Sequence, residues 1–265
     1  MQPPLVSANP AKMLSRDDGG TIAYHFTPGK AMDKTTGVVF LGGFRSDMEG
    51  SKALALQQWC EDEGRAYLRF DYTGHGQSSG AFEEGCIGDW AADALYAFDQ
   101  LTQGPQVLVG SSMGGWLALL VARERAERVR GLVGLAAAPD FTEDLIWAKL
   151  SDDQRAELLD KGQVLEPNDY DPSEPYVITQ KLIEDGRRHL VLREPLNITV
   201  PVRLIQGMQD ADVPWSTALS LQEALVSDDV EVQFVKSGDH RLSEAQDLRR
   251  LEVTLGALLN HLERS

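Results

Sequence analysis

Short runs dominated by apolar residues alternate along this chain with longer stretches whose apolar residues recur every three or four positions. The runs are Val38–Leu41, Ala66–Phe70, Gln106–Gly110, Leu132–Ala137, Val202–Gln206 and Val230–Val235. They lack a strict apolar–polar alternation, which suits strands covered on both faces of a parallel sheet. Helical periodicity fills the gaps. Ser51–Glu63 opens on a capping serine and stops at Gly64, Trp90, Ala94, Leu95, Phe98 and Leu101 share one helical face, and Met113–Glu124 follows a run directly. Leu248, Leu251, Leu255, Leu258, Leu259 and Leu262 form a last stripe. At the start, Met13–Arg16 and Thr21–Phe26 flank Asp17-Asp18-Gly19-Gly20, a hairpin signal. A leading hairpin followed by strand–helix units predicts an α/β fold: a mostly parallel eight-stranded sheet with helices on both faces.

One stretch breaks this rhythm. Between Asp140 and Thr199 no run reads as a strand, and Asp, Glu and Pro are frequent. Helical patches lie at Ser151–Lys161 and Glu174–Gly186. Sixty residues are too many for a plain loop in a compact domain. Trp147, Leu150, Leu158, Leu159, Tyr176, Ile178 and Leu182 require burial. The expectation is a core of residues 1–139 and 200–265, with 140–199 as a helical cap.

Composition narrows the function classes. Of 265 residues, 42% are hydrophobic and 25% charged, an ordinary globular balance. The formal net charge of −16 repels phosphate backbones and anionic headgroups, so neither nucleic-acid binding nor stable membrane anchoring is expected. Cys60 and Cys86 are too few for a disulfide scaffold and lack metal or redox spacing. No run of about 18 apolar residues suggests a membrane span. Met1–Pro10 lacks the charged start and apolar stretch of a secretory signal and is not Arg-rich. A cytoplasmic protein is the expectation, and oligomeric state is not legible.

The strongest chemical signal is Gly110-Ser111-Ser112-Met113-Gly114-Gly115, between Val107-Leu108-Val109 and Trp116–Leu120. This is G-x-S-x-G in the strand–turn–helix context that gives the motif meaning. A sharp turn there lifts the central side chain clear of the sheet, making Ser112 the candidate nucleophile. A serine hydroxyl needs a base oriented by a carboxylate, and in this context the chain order is serine, acid, histidine. His189, His240 and His261 follow Ser112. His240, in the loop after the last strand, is the expected base; the other two fall in the insertion and the terminal helix. The acid should follow the preceding strand, where Asp210 and Asp212 compete in Gly207–Pro214. Asp210 comes first and is favoured. Asp212 suits a turn or cap, and Asp140 is a third candidate. The oxyanion requires N–H donors. Met113 supplies one from the position after the nucleophile. Gly42-Gly43-Phe44 supplies the other, with Phe44 favoured and Gly43 close behind.

Asp71-Tyr72-Thr73-Gly74-His75-Gly76-Gln77-Ser78 is conspicuous, but His75 precedes the nucleophile and reads as part of a structural turn. No HExxH or early GxGxxG is present, so no metal or cofactor is expected. Arg45 and Arg241 flank expected site residues and could orient an anionic leaving group, or simply pair with local acids. Trp147, with Leu150 and Tyr176, could line an acyl channel.

Five segments together, LGGFRSDMEGSKA (41–53), RFDYTGHGQSSG (69–80), VGSSMGGW (109–116), GMQDADVPW (207–215) and Asp239-His240-Arg241, resemble the palmitoyl-protein thioesterase and mycophenolic acid acyl-glucuronide esterase family of α/β-hydrolases. That resemblance covers most of the chain. It implies an α/β-hydrolase fold and a Ser112–His240–Asp210 triad with Phe44 and Met113 as oxyanion donors. It also implies activity on acyl esters or thioesters, including acylated proteins. A peptidase or C–C bond hydrolase with the same triad, and a non-catalytic binding module, are the alternatives.

Overall fold

Gly37–Leu41 is buried at every position, as a strand covered on both faces must be. The computed structural model, which describes residues 10–30, 35–167 and 175–264, builds a sheet around this strand. In chain order the elements are β1 (Lys12–Ser15), β2 (Thr21–Thr27), β3 (Gly37–Leu41), α1 (Ser51–Asp62), β4 (Tyr67–Phe70), α2 (Ile87–Leu101), β5 (Gln106–Ser111), α3 (Met113–Glu124) and β6 (Val129–Leu135). There follow α4 (Asp152–Lys161), β7 (Gln163–Glu166), β8 (Tyr176–Thr179), α5 (Gln180–Gly186), β9 (Val202–Gly207), α6 (Ser216–Ala224), β10 (Val230–Val235) and α7 (Ala245–Leu262).

Eight strands form one sheet in the order β1-β2-β4-β3-β5-β6-β9-β10. The β1–β2 hairpin joins antiparallel to β4, and all later pairings are parallel. One face packs on α1 and α7 through Leu56, Cys60, Leu251, Leu255 and Leu258. The other packs on α2, α3 and α6 through Trp90, Phe98, Trp116, Leu117 and Leu221. This is the expected three-layer architecture, and it brings the carboxyl ends of β3, β5, β9 and β10 to one edge.

Several boundaries differ from the sequence reading. The sixth strand ends at Leu135 rather than Ala137, because Ala136 has φ 45° and turns the chain. Helix α1 is capped by Gly50 with no side-chain bond, and Ser51 is its first residue. Strand β10 is half exposed, since it is the sheet's last strand.

The insertion is mixed rather than purely helical. Strands β7 and β8 form a separate antiparallel ribbon, with Val164 and Ile178 turned inward. The expected second helix is therefore extended over Tyr176–Thr179 and helical only from Gln180; Glu174 lies outside the described residues, as do residues 1–9. Helix α4 is as read, with a capping box in which Gln154 N–H donates to Ser151 Oγ and Ser151 N–H to Gln154 Oε1. Buried Asp140 anchors the insertion's return, accepting from the N–H groups of Val191 and Leu192 at 2.8 and 2.9 Å.

Candidate active site

Strand β5 hands directly to helix α3 at Ser112, whose φ of 54° and ψ of −121° lie in a region that side chains rarely occupy. Surrounding bonds over-determine this strain. Ser112 N–H donates to Leu135 O at 2.9 Å, and Ser112 O accepts from Gly115 and Ala138 N–H. The turn also needs the glycine two positions on: a Cβ at Gly114 would lie 2.1 Å from Leu41 O. The result is a serine held at the sheet's carboxyl edge.

His240 comes to it from the loop after β10. Ser112 Oγ and His240 Nε2 are 3.0 Å apart, and His240 Nδ1 lies 2.9 Å from Asp210 Oδ2. A carboxylate only accepts, so Nδ1 carries the proton and Nε2 presents its lone pair to the serine hydroxyl. Asp210 is gripped on all sides. Its Oδ2 also accepts from Gln206 Nε2 at 3.0 Å, and Oδ1 from the N–H groups of Asp212 and Val213 at 3.0 and 2.8 Å. The acid and base loops are tied together by Gln209 N–H donating to Gly238 O at 2.9 Å.

The loop after β3 runs over the serine. A Cβ at Gly43 would lie 3.4 Å from Ser112 Cβ. The next residue, Phe44, is centred among Phe82, Trp90, Phe141 and Tyr176, with ring centroids 4.8–6.0 Å away. Met113 N–H opens helix α3, where backbone donors have no intrahelical acceptor and the dipole favours negative charge.

Arg45, at φ 53°, rests its guanidinium on Phe82 and Tyr176 and donates to Pro175 O at 3.3 Å. It thus bridges the loop after β3 to the insertion. Trp147 lies farther into the insertion, its ring between the guanidinium groups of Arg155 and Arg187. Arg241 follows His240, and its carbonyl accepts from Lys52 Nζ. Burial, with Arg241 nearby, lowers Lys52 to about 8.

The other candidates sit elsewhere. Asp212 adjoins the group through its backbone, whereas Asp140 is occupied by Val191 and Leu192. His189 lies 3.5 Å from Asp185 and His261 3.6 Å from Asp229. His75 is buried against Tyr72, Phe82 and Trp90, and burial lowers it to about 4. Both cysteines are buried; burial raises the Cys60 thiol and pushes Cys86 to about 12. Among the described residues, Asp210, Asp212 and His240 are the one trio close enough to share a cation, and Asp210 and His240 are already bonded to each other. Lys52 and the tether between Gln209 and Gly238 escaped the sequence reading because their partners lie far along the chain, and Gln206 because it reads as one more strand residue.

The sequence pattern of the alpha/beta hydrolase fold family matches residues 38–173. The mitochondrial palmitoyl-protein thioesterase ABHD10 of Bos taurus is 39% identical over 249 residues, covering 94% of this chain and 80% of that protein. A solved structure of alpha/beta hydrolase domain-containing protein 10 from mouse superposes with a TM-score of 0.88 at 37% identity, covering 95% of this chain and 99% of that one. A putative hydrolase from Agrobacterium vitis S4 superposes with a TM-score of 0.89 at 42% identity, covering 94% and 97%. The curated relatives from cattle, mouse and human are all named as mitochondrial, which overturns the expectation of a cytoplasmic location. Among the described residues no helix is long and apolar enough to cross a membrane.

Proposed function

The chain belongs to the alpha/beta hydrolase fold family, and we propose that it acts as a serine hydrolase of carboxylic acyl esters and thioesters. The continuous relay from Ser112 Oγ through His240 to Asp210, at 3.0 and 2.9 Å, carries the reading.

In this mechanism Ser112 attacks the acyl carbonyl while His240 Nε2 takes its proton. Asp210 fixes the imidazole tautomer and stabilises the imidazolium. The N–H groups of Met113 and Phe44 receive the oxyanion, each worth roughly 3–4 kcal/mol of transition-state stabilisation. His240 then protonates the departing alcohol or thiol. Water, deprotonated by the same histidine, releases the acid from Ser112. The strained turn at Ser112 supports the nucleophile's role, and the approach of Gly43 supports that of the oxyanion loop.

Residues 140–199 serve as a cap over this edge. Contact between Tyr176 and Phe44, and donation from Arg45 to Pro175 O, support that assignment. Gly43 and Arg45 meet the substrate beside the oxyanion donors; Trp147 lines the insertion side, and Arg241 the side of the base. The name of the ABHD10 relatives supports long-chain thioesters and acylated proteins as substrates.

Fluorophosphonate labelling with peptide mass spectrometry tests the reading. It should be paired with p-nitrophenyl esters of two, eight and sixteen carbons, an acyl thioester and an anilide. Label on Ser112, with hydrolysis lost in Ser112→Ala, is expected. Cleavage confined to the anilide would favour a peptidase, and no label with no turnover would sink the assignment.

A further inference from the structure

The run Asp71–Ser78 has no part in the chemistry above, yet its first residues reach the loop that carries Phe44. Arg69 and Asp71 are two apart on extended chain, so their side chains share a direction. Both go to Met48. Met48 N–H donates to Asp71 Oδ1 at 2.7 Å, while Arg69 Nη1 donates to Met48 O at 2.7 Å. Charged side chains therefore hold both backbone groups of one residue, and all three residues are buried. At the loop's other end Tyr72 Oη donates to Gly42 O at 3.2 Å. Phe44 lies between these two fixed points.

The rest of the run secures Asp71. Its Oδ2 accepts from Gln77 N–H at 2.8 Å, and its carbonyl accepts from Ser78 Oγ at 2.7 Å. Ser78 Oγ accepts in turn from Ala23 N–H of β2. Gly76, at φ 46°, is required: a Cβ there would lie 2.2 Å from Asp71 Oδ2. A buried carboxylate is costly unless its oxygens are satisfied, and here each oxygen meets an amide from a different loop.

We propose that Asp71, with Arg69 and Tyr72, is a positioning residue that fixes the Gly42–Met48 loop so that Phe44 N–H meets the developing oxyanion. This role rests on the Ser112 reading above. Besides Arg69 and Tyr72, the titratable groups around it are Asp47 and Glu49 on the clamped stretch, His75 on its own run, and His25, which reaches Glu49 from β2. Burial outweighs the amide bonds and raises Asp71 to about 6, so at pH 7.5 it is ionised and both oxygens accept.

Amide hydrogen exchange of the whole protein reads the clamp directly. At pH 7.5 protection at Met48 and Gln77 should be at least about tenfold that of an unbonded amide. In Asp71→Asn one of the two amides loses its acceptor and should lose about tenfold or more of its protection, while amides within β5 hold theirs. That variant should lose about tenfold or more in kcat on a short p-nitrophenyl ester with KM within about twofold, because only transition-state contact is lost. Tyr72→Phe should lose a few-fold in kcat with KM within about twofold, and it decides the matter with the wild-type exchange data if Asp71→Asn does not fold. Wild-type kcat in a folded Asp71→Asn, or a wild-type Met48 amide without protection, would overturn the proposal. Wild-type protein without Ser112-dependent hydrolysis would instead overturn the proposed function, and the exchange result would still judge the clamp.

Discussion

Gln206 donates from Nε2 to Oδ2 of Asp210 at 3.0 Å, the same oxygen that accepts from His240 Nδ1 at 2.9 Å. Gln206 is the penultimate residue of β9 and is buried. With the two backbone donors on Oδ1, it leaves the carboxylate no freedom to turn, so the orientation of the His240 imidazole is inherited from the sheet.

Asp210→Asn should therefore lower kcat by on the order of 10⁴, because an amide favours the wrong imidazole tautomer. Asp212→Asn leaves its own N–H on Asp210 and should stay within about tenfold of wild type. Steady-state kinetics on one ester separates them, and equal losses would remove the preference for Asp210.

Asp140→Asn should cost stability rather than chemistry. One of two buried N–H groups loses its acceptor, a loss of about 1–3 kcal/mol. For a chain of this size each kcal/mol lowers Tm by about 2–4 °C. Thermal melting should show the drop while kcat at 25 °C stays near wild type.

Gly114→Ala forces a Cβ to within 2.1 Å of Leu41 O, where backbone meets backbone. Such overpacking costs about 1–3 kcal/mol or more. Denaturant unfolding should reveal the loss, and an unchanged midpoint would mean that β3 and α3 are not so closely apposed.

Acid stability should carry a signature of His75. Its folded pKa, near 4, lies below the ordinary 6.5 because it is buried. The unfolded chain therefore binds the extra proton between about pH 4 and 6.5, and stability rises with pH through that window. At pH 4 the penalty is about 3 kcal/mol. His75→Gln should lose that penalty, so its stability relative to wild type should increase by about this amount between pH 7 and 4, read by denaturant unfolding.

What the sequence disclosed was local. G-x-S-x-G needs only its own strand and helix to be recognised, and the loops after the last two sheet strands narrowed the acid and base to a few residues. Strands β7 and β8 were not legible, because four-residue segments show too little alternation and Val164 pairs with Ile178 fourteen positions along the chain. The half-exposed β10 was read as covered on both faces, since Val230–Val235 carries no mark of being last in the sheet. Lys52 reaches Arg241 across 189 positions, a relationship that spacing cannot announce. Nothing in the composition opposed the cytoplasmic expectation; the names of the relatives did.

The most direct test is to trap the acyl-enzyme. The protein should be mixed with a medium-chain acyl thioester, quenched in acid within the first turnover and digested for peptide mass spectrometry. Mass equal to the acyl group on the peptide containing Ser112, absent from Ser112→Ala, is the predicted result. Acyl transfer to another residue, or thioester hydrolysis that survives in Ser112→Ala, would contradict the account.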